Sequence, residues 1–278
     1  MKILYFIFFI IPLFVYSCNT KKGEIENLIS QKKLNAAQLL IKKYLTEDKS
    51  NIDLIKLYSK INFLVLDDSC KKLIKHYEYN KAIDLITSSK FNFKDYPPAE
   101  DSIKSFIYYW GIQGANYYKN LNNYILAYNC LIPLLKSKID ITSEQLDLVN
   151  DVTIGMLSGI WKAKSLKLKM PVTLYINAIT SKTFYGTILY FTDDWPYSLR
   201  DCSFNITEIG GTFLRKDHIW GSVNYVAVPF YGKYIDGNLR ISLQLQSKTP
   251  IYLKGGPDSD YKEWTFDVED TCIFHKVY

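Results

Sequence analysis

One pattern recurs three times in the first half of this 278-residue chain and limits what that half can become. Leu34-x-x-Ala37-x-x-Leu40-Ile41 is matched by Tyr79-x-x-Ala82-x-x-Leu85-Ile86 and, more loosely, by Tyr124-x-x-Ala127-x-x-Cys130-Leu131. The alanines are 45 residues apart both times. A small residue flanked by large ones at helical spacing lets a second helix approach closely. The same unit at constant spacing predicts stacked helical hairpins. Apolar residues recur at steps of three and four from Ile25 to Ile61 and beyond, so residues 23–157 read as helices. Breaks are expected at 46–51, at Asp67-Asp68-Ser69 and at Tyr96-Pro97-Pro98, because proline cannot continue a helix. Thr142 or Ser143 is placed to cap a helix start.

Tyr77-Glu-Tyr-Asn-Lys-Ala82-Ile-Asp-Leu-Ile86 resembles the second helix of a tetratricopeptide repeat, and Gly114-Ala115-x-Tyr117-Tyr118 resembles the paired first helix. The period of 45 and the missing Trp-Leu-Gly pattern depart from that family, whose repeat is about 34 residues. The resemblance implies a scaffold that binds a peptide or protein and carries no implication of catalysis.

From about residue 158 the period changes from helical to two. Leu239-Arg-Ile241-Ser-Leu243-Gln-Leu245-Gln has one apolar and one polar face, as does Val172-Thr-Leu174-Tyr-Ile176-Asn-Ala178. Turn residues fall at Gly210-Gly211, 232–237 and 255–258. About eight strands of roughly five to ten residues are expected, forming a meander barrel or a sandwich. The predicted fold is therefore α+β and multidomain, with α-helical hairpin repeats followed by an antiparallel β-barrel or β-sandwich. Its parts are residues 1–17, a tether at 18–22, a helical domain at 23–157 and a β domain at 158–278.

Gly159-Ile160-Trp161, a Gly-x-Trp on the first strand, resembles the start of lipocalin and avidin-like barrels. That resemblance implies a calycin-like barrel that carries a small apolar ligand. The closing Val277-Tyr278 is similar to the terminal aromatic of outer-membrane barrels. A membrane barrel needs lipid-facing strands of about nine to eleven residues throughout, and that reading is rejected.

The N-terminus has the proportions of an export signal. Lys2 precedes an apolar run over residues 3–16, and Ser17-Cys18 follows. Fourteen residues span roughly 21 Å as a helix, short of a roughly 30 Å hydrocarbon core. Val15-Tyr16-Ser17-Cys18 resembles the lipobox of bacterial lipoproteins, although Tyr16 is bulkier than usual. The resemblance implies cleavage before Cys18, lipidation of its thiol, and a membrane-anchored protein of the cell envelope. Two or three acyl chains make a stable anchor where one does not.

Charge and chemistry narrow the rest. Lys and Arg total 34 against 28 acidic residues, and the basic ones are spread along the chain. No basic stripe or motif points to nucleic acid. Cys202 and Cys272 lie on expected strands of an exported half and are the candidate disulfide, while Cys70 and Cys130 are expected as buried unbridged thiols. Nucleophile elbow, HExxH, P-loop, dinucleotide and EF-hand patterns are all absent from the sequence, so no catalytic residue, cofactor or metal is assigned. The acidic pairs Asp193-Asp194 and Asp258-x-Asp260 leave open a glycan hydrolase whose carboxylates the fold would bring together. Loop aromatics are the remaining candidates. Trp195, Tyr197, Tyr231 and Tyr234 sit by turns and are placed to stack on a glycan or enter a partner's pockets, or else to fold back over the barrel ends. The leading expectation is a non-enzymatic envelope lipoprotein that binds a protein or peptide through its helices and a second partner or glycan through its β half.

Overall fold

The computed structural model of the chain describes residues 21–278 apart from 90–92, 94, 138, 168, 170, 191–196, 220–221, 247–249, 253–261 and 265–266. Helices come first and a closed antiparallel barrel follows, so the α+β reading holds and the barrel replaces the sandwich. The helices are α1 (21–30), α2 (Leu34–Glu47), α3 (Ile52–Lys75), α4 (Tyr79–Ser89), α5 (Pro98–Asn120), α6 (Tyr124–Ser137) and α7 (Ser143–Leu157). The chain forms two compact units, one ending at Gly111 and the other Ile112–Tyr278. The helix-to-strand change falls between Leu157 and Gly159, but α6 and α7 belong to the same unit as the strands.

The 45-residue spacing reappears in the backbone. Each helical hairpin turns through one non-glycine residue with positive φ: Lys32 at 57°, Tyr77 at 61° and Asn122 at 56°. The turn hydrogen bonds repeat with it. Lys33 N–H donates to Leu28 O, Glu78 N–H to Leu73 O and Asn123 N–H to Tyr118 O. Ala37, Ala82 and Ala127 are each fully buried, as are Ile41, Ile86 and Leu131 one turn later. A methyl at these positions is what lets the paired helices close on each other. In the second hairpin the Cys70 thiol reaches Ala82 O at 3.5 Å.

The helical unit is held by apolar packing. Ile25, Ala37, Ile41, Leu54, Leu57 and Ile61 form one core. Phe63 meets Phe93 edge-on at 5.6 Å and Phe106 face-on at 6.3 Å, and Phe106 stacks on Trp110 at 4.5 Å. Asn51 accepts from Leu54 N–H and so caps α3. Thr142 and Gln145 form a reciprocal capping box at the start of α7. No described helix is long and apolar enough to cross a membrane.

The barrel strands are β1 (Gly159–Lys164), β2 (Pro171–Ala178), β3 (Thr183–Tyr190), β4 (Tyr197–Asn205), β5 (Glu208–Ile219), β6 (Ser222–Ile235), β7 (Asn238–Gln246) and β10 (Asp267–Val277). Each pairs with the next, and β1 closes on β10. The short β8 (Pro250–Tyr252) and β9 (Lys262–Trp264) form a separate hairpin between β7 and β10. Strand lengths reach 14 residues in β6, beyond the expected ten: Gly232 lies within β6 and Gly210 and Gly211 within β5, so the turn expected over 232–237 narrows to 236–237 and the one at 210–211 is absent. Inward positions hold large apolar side chains, among them Trp161, Phe204, Phe213 and Phe274, all fully or almost fully buried. Outward positions on β1, β5, β6, β7 and β10 carry Lys162, Glu208, Lys233, Arg240 and His275. A wall with apolar residues inside and charges outside is the reverse of a lipid-embedded barrel.

Candidate functional site

In the helical unit, the first hairpin turn and α3 border a groove of about 770 Å³. Ile29, Leu34, Ala36 and Leu64 supply apolar lining. Lys32, Lys33, Lys71 and Lys72 stand around it with Asp67 and Asp68. Both aspartates are engaged within α3, Asp67 with Lys71 at 2.7 Å and Asp68 with Lys72 at 2.8 Å. Lys32 and Lys33 are left as the net charge of the groove. The 45-residue rhythm did not single out this cleft, because its walls come from positions that differ between repeats.

In the barrel unit, α6 and α7 lie across one end of the barrel. The tyrosine hydroxyl of Tyr128 on α6 donates to Ile206 O in the β4–β5 turn. The Tyr234 hydroxyl donates to Asn129 Oδ1 at 2.9 Å, and the Tyr128 and Tyr234 rings meet edge-on at 5.6 Å. The four terminal carbonyls of α7 are all satisfied. Ser158 N–H donates to Ile154 O, Lys276 Nζ to Gly155 O and Met156 O, and Trp161 Nε1–H to Leu157 O at 2.8 Å. Trp161 thus does structural work: it plugs the barrel and ends a helix. Burial pulls the Lys276 ammonium down to about 8, and its charge lies at the negative end of the α7 dipole.

At the opposite end of β10, Asp270 also faces inward. It accepts from Ser165 Oγ at 2.7 Å and from Lys167 N–H at 2.8 Å, fixing the connection after β1. Burial works to raise the Asp270 carboxyl, but these donors and the N–H groups of Thr271 and Leu166 hold it below the usual carboxylate range. Neither Lys276 nor Asp270 was singled out by sequence. The signal was available, since each is a charged residue in the inward phase of β10, where Cys272 and Phe274 mark the buried face.

The four candidate stacking residues do not form one surface. Tyr197 and Tyr234 are buried at 5% and 2% exposure, packed against Phe213 and Tyr128 respectively. They are interior residues, a correction that follows from their places in the inward phase of β4 and β6. Tyr231 stands 66% exposed on β6. Trp195 lies outside the described residues, as do Cys18, Asp193, Asp194, Asp258 and Asp260. Cys202 and Cys272 are buried thiols without a bridge, as is Cys70, and Cys130 forms no disulfide. The 202–272 bridge is not formed because β4 and β10 are four strands apart in an eight-stranded ring, on opposite walls. Burial pushes the Cys202 and Cys272 thiols up to about 12. Among the described residues no three His, Cys, Asp or Glu side chains gather as a metal site needs.

No known protein family, curated protein or solved structure matches this chain.

Proposed function

We propose that the protein is a lipid-anchored component of a bacterial cell envelope, tethered through Cys18, whose helical hairpins hold an extended segment of a partner protein. The groove between the first hairpin turn and α3 carries this reading. Its apolar lining suits one or two side chains of a bound segment, and its Lys32 and Lys33, which form no ion pair among the described residues, favour an acidic one. The tetratricopeptide-like repeat supports a scaffold rather than an enzyme. The β half is a second contact, to another partner or a glycan, with the exposed Tyr231 as its described ring.

Two experiments test the reading. The mature protein, isolated from membranes, is expected to begin at Cys18 and to carry the added mass of a diacylglycerol group. An unmodified Cys18 removes the anchor. Acidic-apolar peptides are expected to bind more tightly than basic ones of equal hydropathy, with binding lost in the Lys32→Glu, Lys33→Glu double variant. Equal binding by both proteins removes the groove.

The carrier reading draws on the closed eight-stranded meander but meets an observation against it: the described inward positions are occupied by Trp161, Phe204, Phe213, Phe230 and Phe274.

A further inference from the structure

The outer wall of β1, β2 and β3 combines two independent features. The first is charge. Residues 158–192 contain five lysines and no acidic residue. All five are exposed: Lys162 and Lys164 stand on β1, Lys167 and Lys169 in the β1–β2 connection and Lys182 in the β2–β3 turn. The far wall instead mixes Arg200, Lys233 and Arg240 with Asp201, Glu208 and Asp236.

The second is exposed apolar surface in register. Val277 pairs with Ile160, and Ile160 pairs with Tyr175. These three neighbours form a row across β10, β1 and β2, exposed by 42%, 38% and 39%. Tyr185 on β3, 54% exposed, is diagonal to Tyr175 through its partner Asn177. Residues facing outward on one row of adjacent strands make a continuous patch, not scattered singles. Beside it lies a depression of about 360 Å³ lined by Lys162, Lys164, Leu166 and His275 with Ala163 and Ile273.

We propose that this wall is a docking surface for an anionic phospholipid membrane. The occupant follows from complementarity. Lysines on strands and connections that carry no acid of their own are attracted to negative headgroups, and their apolar stems lie along the surface while the ammonium stays in water. Tyrosine rings with a polar tip settle at the headgroup level. The depression puts cationic and apolar groups side by side, as a headgroup with its first methylenes requires. A convex barrel wall lacks the deep central pocket on which a tight protein interface depends. Binding is peripheral, and it is independent of acylation at Cys18.

The test uses residues 18–278 with Cys18→Ser, which contains every described element and lacks both the apolar leader and the acyl site. Vesicles are phosphatidylcholine alone or an equimolar mixture with phosphatidylglycerol, and binding is read by co-sedimentation. The protein is expected to bind the mixed vesicles and not the neutral ones, and to be released as salt rises from about 0.01 M to about 1 M. Lys162→Gln with Lys164→Gln is expected to weaken binding about 25-fold, roughly five-fold per lysine. Tyr175→Ser is expected to weaken it as well, while Lys233→Gln on the far wall leaves it unchanged. Unaltered far-ultraviolet circular dichroism keeps each comparison interpretable. Equal affinity for both vesicle types overturns the proposal, as does equal loss from Lys233→Gln and the β1 pair. Absence of vesicle binding also overturns it and leaves an acidic protein as the occupant of the wall.

Discussion

Lys276 Nζ donates to the carbonyl oxygen of Gly155 at 2.6 Å, tying the last strand of the barrel to the last turn of the last helix. The same ammonium reaches Met156 O at 2.8 Å and lies 5.8 Å from the Trp161 ring centre. One side chain therefore joins helix end, barrel closure and core. Burial has lowered its pKa to about 8 from the ordinary lysine value of about 10.4. Between these two values the unfolded chain still holds the proton and the folded chain has released it. Stability gained through this residue therefore rises with pH across that window. Urea unfolding of the wild type and Lys276→Met, compared from about pH 7 to about pH 10.5, is expected to show a rising difference in favour of the wild type. A difference that is flat or falls with pH would show that the ammonium is not desolvated by the fold.

Asp270 has the opposite sign. Its carboxylate is held below the usual range by Ser165, Lys167 and neighbouring backbone donors. The stabilisation is present above the ordinary aspartate value of about 3.9 and is lost as pH falls through the lower folded value. Asp270→Asn removes the charge but keeps the shape, and is expected to cost about 2 kcal/mol at neutral pH, in the range of hydrogen bonds to charged groups. The variant should also lose part of the acid-unfolding transition. An Asp270→Asn protein as stable as the wild type at both pH 7 and acid pH contradicts the assignment.

Gly155 tests how closely α6 and α7 approach. A Cβ built there lies 2.3 Å from Tyr124 Cδ1 and 2.6 Å from Cγ. Alanine is the better helix former by about 1 kcal/mol, so propensity alone predicts stabilisation. Overpacking costs about 1–3 kcal/mol and acts in the other direction. Since the contact is to ring atoms next to the backbone, the clash is expected to win, and Gly155→Ala should be destabilised. Adding Tyr124→Leu should recover part of the loss, a coupling that a double-mutant cycle measures. Additive effects would mean that the two helices are not in contact there.

Among the described residues, three of the four thiols are strongly shifted by burial. Cys70 is raised to about 11, and Cys202 and Cys272 to about 12. In the unfolded chain a thiol ionises near pH 8.5. The folded protein then holds more protons, and stability falls as pH rises from about 8.5 toward these values. With no bridge to break, the thermal midpoint should be the same with and without reductant. A thiol reagent should label Cys70, Cys130, Cys202 and Cys272 only after denaturant is added. A reductant-sensitive midpoint would show that a disulfide forms despite the separation of β4 and β10.

The repeat was legible in sequence because its signal is steric. Ala37, Ala82 and Ala127 must be small for the helices to touch, and that requirement leaves the same letter every 45 residues. The strands were legible where one face is wet, as in β7, and misjudged in length where a glycine was read as a turn, since Gly232 lies within β6 and Gly210 and Gly211 within β5. Tyr197 and Tyr234 were misplaced because a tyrosine next to a turn looks alike from either side of the wall. Only register decides between core and surface. The charged anchors were harder still: Lys276 and Asp270 owe their roles to α7 and to the β1–β2 connection, which are distant in sequence.

The hairpin turns offer a test of the repeat at the level of single residues. Lys32 and Asn122 occupy equivalent positions with φ of 57° and 56°. A left-handed conformation costs a β-carbon-bearing residue about 1–2 kcal/mol, and asparagine tolerates it better than lysine does. Glycine escapes the strain but gives back about 0.5–1 kcal/mol of chain entropy. Lys32→Gly is therefore expected to stabilise the protein by about 0.5–1 kcal/mol, and Asn122→Gly to change it by only a few tenths. Exchanging the residues should act reciprocally, with Lys32→Asn stabilising and Asn122→Lys destabilising. Urea unfolding of the four variants reads these changes directly. If Lys32→Gly loses stability, or if Asn122→Gly gains as much as Lys32→Gly, left-handed strain at the lysine is not what separates the two turns.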